Sequence, residues 1–261
     1  MLFEDKEINL IKDFQSQARI LYRPVCRLPD TTEIRTIVTS IIDDGIWNNQ
    51  WVDSSSKSAP PPDFYNEKQR LMMEVMRVDD HAFEQENGRI TNPTIQRERI
   101  KEKELRRTLN LSPNTQLFIN SPTDLPSLED HNYRYYKSNF MRVIGKHTTK
   151  IPLYKLNHPD YKLIFFIYDE SSMYCQVNTP NRTIKEDERF EGKLHFWFYD
   201  KALIDCFMTS GIDYLVWFTP YKWIKKSENP IKLPLACAFD CNQMNGESIE
   251  YLEEYMMSME E

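Results

Sequence analysis

Glycine is scarce in this chain, with only six residues, and neither G-x-G-x-x-G nor G-x-x-x-x-G-K-[ST] occurs. The glycine-cradled phosphate loops of dinucleotide-binding and P-loop proteins are therefore excluded. Long apolar runs are also missing. The longest, Leu163 to Tyr168, suits a strand and falls far short of the ~20 residues a membrane helix needs. The N-terminus, MLFEDKEINL, carries no basic segment ahead of an apolar core, so no signal peptide is expected. The cysteines (Cys26, Cys175, Cys206, Cys237 and Cys241) are odd in number and scattered, which predicts free thiols and a cytoplasmic protein. Cys237 and Cys241 lack a second pair at zinc-finger spacing and read as small buried hydrophobes. An excess of positive charge is absent too. The net charge of −7 argues against a surface coated for nucleic acid but leaves room for a local basic groove.

What is present is an ordinary globular composition, 40% hydrophobic and 28% charged over 261 residues, with aromatics raised to 13%. That is enough chain for one large domain with an appended lobe. Residues 1–22 place Ile8, Ile11, Phe14 and Ala18 on one helical face. Thr31 or Thr32 then caps a second helix through Asp43. The stretch SSSKSAPPPD reads as an exposed loop, giving an N-terminal helical segment (1–59), an α/β core (60–245) and an acidic tail (246–261). Leu71 to Val78 reads as a strand or as the end of a helix starting near Asp63. Asn87-Gly88 marks a tight hairpin turn. The segment from Asn92 through Arg107, rich in both charge signs, predicts a solvated helix, and Leu117 to Ile119 a short strand.

From Asn132 to Lys150 the pattern predicts an amphipathic helix with core positions Tyr136, Phe140, Val143 and Ile144. Between Arg134 and His158 there are basic residues and no acid. Arg134, Lys137, Arg142, Lys146 and Lys150 thus form the one distinct positive patch, a candidate nucleic-acid surface. Strand candidates follow at Leu163–Tyr168, Met173–Val177 and Leu194–Tyr199. Asp200 caps a helix ending at Ser210-Gly211, and Tyr214–Phe218 is a further apolar strand. The tail spaces Ile249, Leu252, Met256 and Met259 as one face of a helix, which would pack on the body or dock on a protein partner.

This helix, three strands, helix, strand order between Asn132 and Pro220 resembles the core of the PD-(D/E)xK, or restriction-endonuclease-like, superfamily. The resemblance implies an α/β (or α+β) fold with a central mixed sheet. It also implies a Mg²⁺ site built from an Asp on one strand and Glu-x-Lys on its neighbour. Asp169 and Glu170 end the first strand, and Glu191-Gly192-Lys193 opens the third. Lys193 would then be the catalytic lysine, with Lys201 as a displaced substitute. Asp79, Asp169, Glu170 and Glu191 are the metal-ligand candidates. No Pro-Asp precedes the second strand of that unit. A second constellation sets carboxylates beside histidine: Asp79-Asp80-His81, Glu129-Asp130-His131 and His158-Pro159-Asp160. These too could gather around a divalent metal, although Asp130 and His131 could equally cap the helix that starts at Asn132. Ser171 and Ser172 lack the G-x-S-x-G of a nucleophile elbow. The expectation is a metal-dependent nuclease or nuclease-like nucleic-acid-binding protein, with no membrane association. The alternative is a non-catalytic module that binds a protein partner.

Overall fold

The computed structural model describes residues 6–20, 24–55, 61–92 without 82 and 86, 100, 103, 131–179, 192–222 without 209, 233–244 and 247–259. The predicted elements at 93–107 and 117–119 lie largely or wholly outside these residues.

The chain is an α/β protein built on a mixed seven-stranded sheet. Three of its strands, β2 (Trp51–Asp53), β3 (Phe64–Asn66) and β4 (Leu71–Val78), form an antiparallel meander at one side. Two helices follow, α4 (Tyr133–Thr148) and α5 (Ile151–Asn157), and the chain returns as β7 (Lys162–Asp169), parallel to β4. Parallel neighbours need such a crossover. A second crossover contains α6 (Lys201–Met208) and leads to β10 (Tyr214–Phe218), parallel to β7. β11 (Ala236–Asp240) then runs antiparallel to β10, and β1 (Val25–Leu28) closes the far edge, parallel to β11. β5 (Phe83–Glu84) and β6 (Ile90–Thr91) form the small hairpin that Asn87-Gly88 predicts.

Alternation along β4 divides the core into two layers. Met72, Met76 and Val78 face a cluster with Tyr136, Phe140, Tyr154, Leu203 and Phe207 of the crossover helices. Leu71, Met73 and Val75 face a second cluster with Ile11 and Phe14 of α1 (Glu7–Ile20), Ile37 and Ile41 of α2 (Thr32–Ile42), and Trp47 of α3 (Asp44–Gln50). Because helices cover both faces, the central strands are apolar throughout. Every residue from Leu163 to Asp169 is buried. The N-caps fall where the sequence places them. Thr31 accepts from the Ile34 amide, and the Asp200 carboxylate accepts from the Ala202 amide at 3.0 Å. Gly211, with φ of 80°, takes the left-handed conformation just past α6.

Several expectations need correction. The 1–59 segment is not purely helical, since β1 and β2 are the two edge strands of the main sheet. β2 pairs with β3 across the Ser/Pro stretch, so that stretch does not separate units. No helix starts near Asp63; β3 does, and Leu71–Val78 is wholly strand. Tyr174–Val177 (β8) and Gly192–Leu194 (β9) leave the main sheet and form a three-stranded sheet with β12 (Met256–Ser258). Trp197–Tyr199 is a 3-10 turn rather than the end of a strand. The tail is not a helix. It adds β12 to β8, and Ile249 exchanges backbone hydrogen bonds with Tyr199 and Lys201. Met256–Ser258 is a strand because β8 offers it an edge to pair with, a fact that helical spacing alone cannot reveal.

Candidate functional site

Among the described residues, two carboxylates face each other in the meander. The β3–β4 register pairs Phe64 with Met73, and one further step sets Asp63 opposite Glu74 on the same face of the sheet. Asp63 is pinned locally. Its carbonyl accepts from the Ser54 amide at 2.7 Å, and its Oδ2 accepts from the Val75 amide at 2.8 Å. The buried Ser54 hydroxyl also donates to the Pro62 carbonyl at 2.6 Å. Both ends of the supposedly exposed Ser/Pro loop are thus built into the structure and fix where Asp63 stands.

Glu74 shares the parity of Met72 and Met76, so it points from the middle of an apolar strand toward α4 and α5, and it is only 4% exposed. There its Oε1 meets His147 Nδ1 at 2.8 Å and Lys150 Nζ at 4.0 Å. The α4–α5 junction, where Pro152 restarts the helix, places His147, Lys150 and Tyr154 together. Asn157 at the end of α5 donates to the Pro61 carbonyl at 2.6 Å, tying that helix to the segment ahead of Asp63. Glu74 Oε2 and Tyr154 Oη are both buried and neither makes a well-formed hydrogen bond among the described residues, but the phenol is the donor that meets this carboxylate. Burial, then the charge of Glu74, pushes the Asp63 carboxyl up to about 7; Glu7 adds to the negative field and Lys150 opposes it. Burial, the Glu74 charge and the hydrogen bond to Glu74 likewise hold the Tyr154 phenol protonated. The arrangement is a pair of facing carboxylates short of cation, with one ammonium at the rim.

The residues singled out from the sequence lie elsewhere. Asp169 is fully buried at the end of β7. Its Oδ2 accepts from Tyr136 Oη at 2.8 Å and Trp217 Nε1 at 2.9 Å, and its Oδ1 from the Ser171 amide at 2.9 Å. The buried ammonium of Lys222 stands 3.7 Å away, over the ring of Tyr136. Asp169 therefore has donors on both oxygens and a counterion. Glu170 is ion-paired with Arg77. Lys193 belongs to the small sheet, with its ammonium 5.0 Å from the centre of the Tyr251 ring. No contact joins it to Asp169 among the described residues, and Glu191 lies outside them. Asp79 shapes the loop after β4: its Oδ1 accepts from the His81 amide at 3.2 Å and from Asn139 at 3.3 Å. Among the described residues Asp169 and Lys193 are not in contact, and the Asp169–Glu191–Lys193 centre lies partly outside them.

The basic helix has two fates. Arg134 and Lys137 are held by Glu253 of the tail. Arg142 and Lys146 are exposed, and with Lys150 they follow a four-residue spacing that leads to Glu74. The sequence did carry a signal for the missed site. Glu74 interrupts the apolar run LMMEVMRV, and a carboxylate in the middle of a two-sided buried strand demands a partner. Pro62-Asp63 was visible as well, but it was absorbed into a loop. Fold and site together define an α/β protein with a carboxylate pair, a lysine and a histidine converging where a meander meets a crossover. No family model, curated protein or solved structure matches the chain.

Proposed function

We propose that this chain is a divalent-metal-dependent phosphodiesterase acting on nucleic acid, with Asp63 and Glu74 as its metal ligands. The carrying observation is the carboxylate pair itself, with Glu74 buried in mid-strand and facing Asp63 across the β3–β4 register. Hard oxygen donors of this kind fit Mg²⁺ or Mn²⁺, and a bound cation would relieve the repulsion that holds the Asp63 proton. When bound, such a cation supplies Lewis acidity and lowers the pKa of water.

The resemblance to the PD-(D/E)xK superfamily supports this reading at a different place from the one first chosen. The order helix, three strands, helix, strand also occurs earlier, as α2–α3, β2–β3–β4, α4–α5 and β7. Pro62-Asp63 opens the second strand of that unit and Glu74 lies in the third. Met76 occupies the position of the motif lysine, and Lys150 stands in for it from the crossover. In this reading Lys150 sets positive charge against the phosphate, and His147 fixes the rotamer of Glu74. Exposed Arg142 and Lys146 hold the backbone of the substrate. The tail, packed into its own chain through β12, gives little support to the partner-binding alternative.

The test is incubation of single- and double-stranded DNA and RNA with the protein in Mg²⁺ or Mn²⁺. Cleavage that is lost in Glu74→Gln is the expected result. Intact nucleic acid with both metals, or cleavage indifferent to Glu74→Gln, overturns the proposal.

A further inference from the structure

Among the described residues histidine meets carboxylate at three places, and one of them differs from the others. His147 and Glu74 are 2.8 Å apart, as are His195 and Asp200. These are ordinary charge-assisted hydrogen bonds, which run about 2.7–2.9 Å. At Asp80, His131 Nδ1 stands 3.2 Å and His81 Nε2 3.6 Å from the same oxygen, Oδ1. The three ligand atoms lie within 4.8 Å of one another. The His131 contact is a hydrogen bond at the long end of the range, and 3.2 and 3.6 Å both suit the edges of a coordination tetrahedron. Ligands at about 2.0–2.1 Å from zinc are roughly 3.3–3.4 Å apart.

The other oxygen of Asp80 supplies a second, independent observation. Oδ2 accepts from the Ser172 amide at 2.8 Å, Ser172 Oγ at 2.8 Å and Tyr174 Oη at 2.5 Å. Asp80 is completely buried, and three donors on one oxygen aim the other at the two imidazoles. Hydrogen-bonded orientation of a ligating carboxylate is the usual outer shell of a metal site.

We propose that Asp80, His81 and His131 bind a first-row transition-metal cation of the zinc class in tetrahedral geometry, at a site separate from Asp63 and Glu74. Two imidazoles and one carboxylate favour such an ion over Mg²⁺, which takes oxygen ligands. Asp80 and His81 follow β4, His131 immediately precedes the N-cap of α4, and the orienting Ser172 and Tyr174 come from the β7–β8 junction. The cation would staple these elements together at the C-terminal ends of parallel β4 and β7, the side of such a sheet where ligands gather. Glu74 lies up to roughly 20 Å away along an extended chain at ~3.3 Å per residue, so the two sites share no ligand.

The whole chain, stripped by chelation and dialysis, is titrated with Co²⁺ and then with Zn²⁺. The expected result is one equivalent of cobalt showing the intense visible absorption of a four-coordinate ion, displaced by zinc, with a rise in melting temperature. His81→Asn and His131→Asn each weaken binding at least tenfold, whereas Glu74→Gln keeps the cobalt spectrum. A wild-type protein that shows neither spectrum nor stabilisation overturns the proposal. So does cobalt binding that survives both histidine substitutions, or a spectrum lost in Glu74→Gln. Because wild-type binding is read directly, a variant that fails to fold leaves the test intact. Nuclease activity does not enter the readout, so this site stands or falls apart from the one at Asp63.

Discussion

Asp169 and Glu74 are both buried acids on the main sheet, Glu74 facing the half-buried Asp63, but they are provided for differently. Asp169 has hydrogen-bond donors on both oxygens and the Lys222 ammonium 3.7 Å away. Glu74 has one imidazole at 2.8 Å, a lysine at 4.0 Å and the Tyr154 phenol, and it faces a second carboxylate. A carboxylate saturated by its own protein has no capacity left for a ligand and reads as architecture. One left short of charge and donors is where a cation from outside has something to gain. The position of an acid at a strand end says less about its role than the donors and counterions around it.

That contrast can be broken experimentally. The largest effect expected is on activity: Asp63→Asn and Glu74→Gln each lower the cleavage rate by about 10²–10⁴-fold, the scale of losing several kcal/mol of metal-assisted stabilisation. Single-turnover assays in Mn²⁺ measure it. Asp63→Asn should at the same time raise the melting temperature of the metal-free protein at neutral pH, because it removes the repulsion with Glu74.

Asp169→Asn should act in the opposite sense. It leaves Lys222 buried without its counterion, and loss of one partner of a buried pair costs about 3–5 kcal/mol. Urea unfolding should show that loss, with no change in metal affinity for the protein that remains folded. If Asp169→Asn instead abolished metal-dependent cleavage without a loss of stability, the two regions would have to exchange roles.

A pH series sharpens the comparison further. The folded Asp63 carboxyl titrates at about 7, raised by burial and by Glu74, whereas an unfolded one titrates near ~3.9. The folded state thus retains a proton that the unfolded chain has lost. Its contribution to stability is full below the unfolded value and disappears as pH rises through about 7. Melting curves in EDTA from about pH 5 to about pH 8 should fall more steeply for the wild type than for Asp63→Asn. Saturating Mn²⁺ should reverse the difference in the upper part of that range. The smallest effect is expected at the tail. Glu253→Gln should change stability by less than about 1 kcal/mol, as for a partly exposed ion pair. It should also tighten binding of single-stranded nucleic acid and steepen its salt dependence, because Arg134 and Lys137 are released.

Much of the fold was legible. Alternation and continuous apolar runs placed β7 and β10. Side-chain caps at Thr31 and Asp200 set helix starts, Asn132 rather than Asp130 or His131 caps α4, and Asn87-Gly88 placed a hairpin. Failures came where a segment's partner lies far away in sequence. Met173–Val177 and the tail looked like a core strand and a helix, and they are strands of one small sheet because each supplies the edge the other needs. The site was legible in its parts and not as a whole. A lone glutamate in LMMEVMRV and a Pro-Asp beside it were visible, as were Asp80, His81 and His131. The choice of Asp169 and Glu191-x-Lys193 followed from assigning the helix, three strands, helix, strand order to the second half of the chain.

By itself, then, the sequence determined the α/β class, the two-sided burial of the central strands, the helix caps and the basic face of α4, because each follows from local pattern and the chemistry of neighbouring residues. Only the tertiary structure decided which carboxylates are satisfied and which are not. That depends on the β3–β4 register that sets Asp63 against Glu74 and on the crossover that brings His147 and Lys150 over them. It depends equally on the loop packing that turns one oxygen of Asp80 toward two histidines. Charge balance inside a protein is a property of distances between elements, and those distances are set only when the layers close.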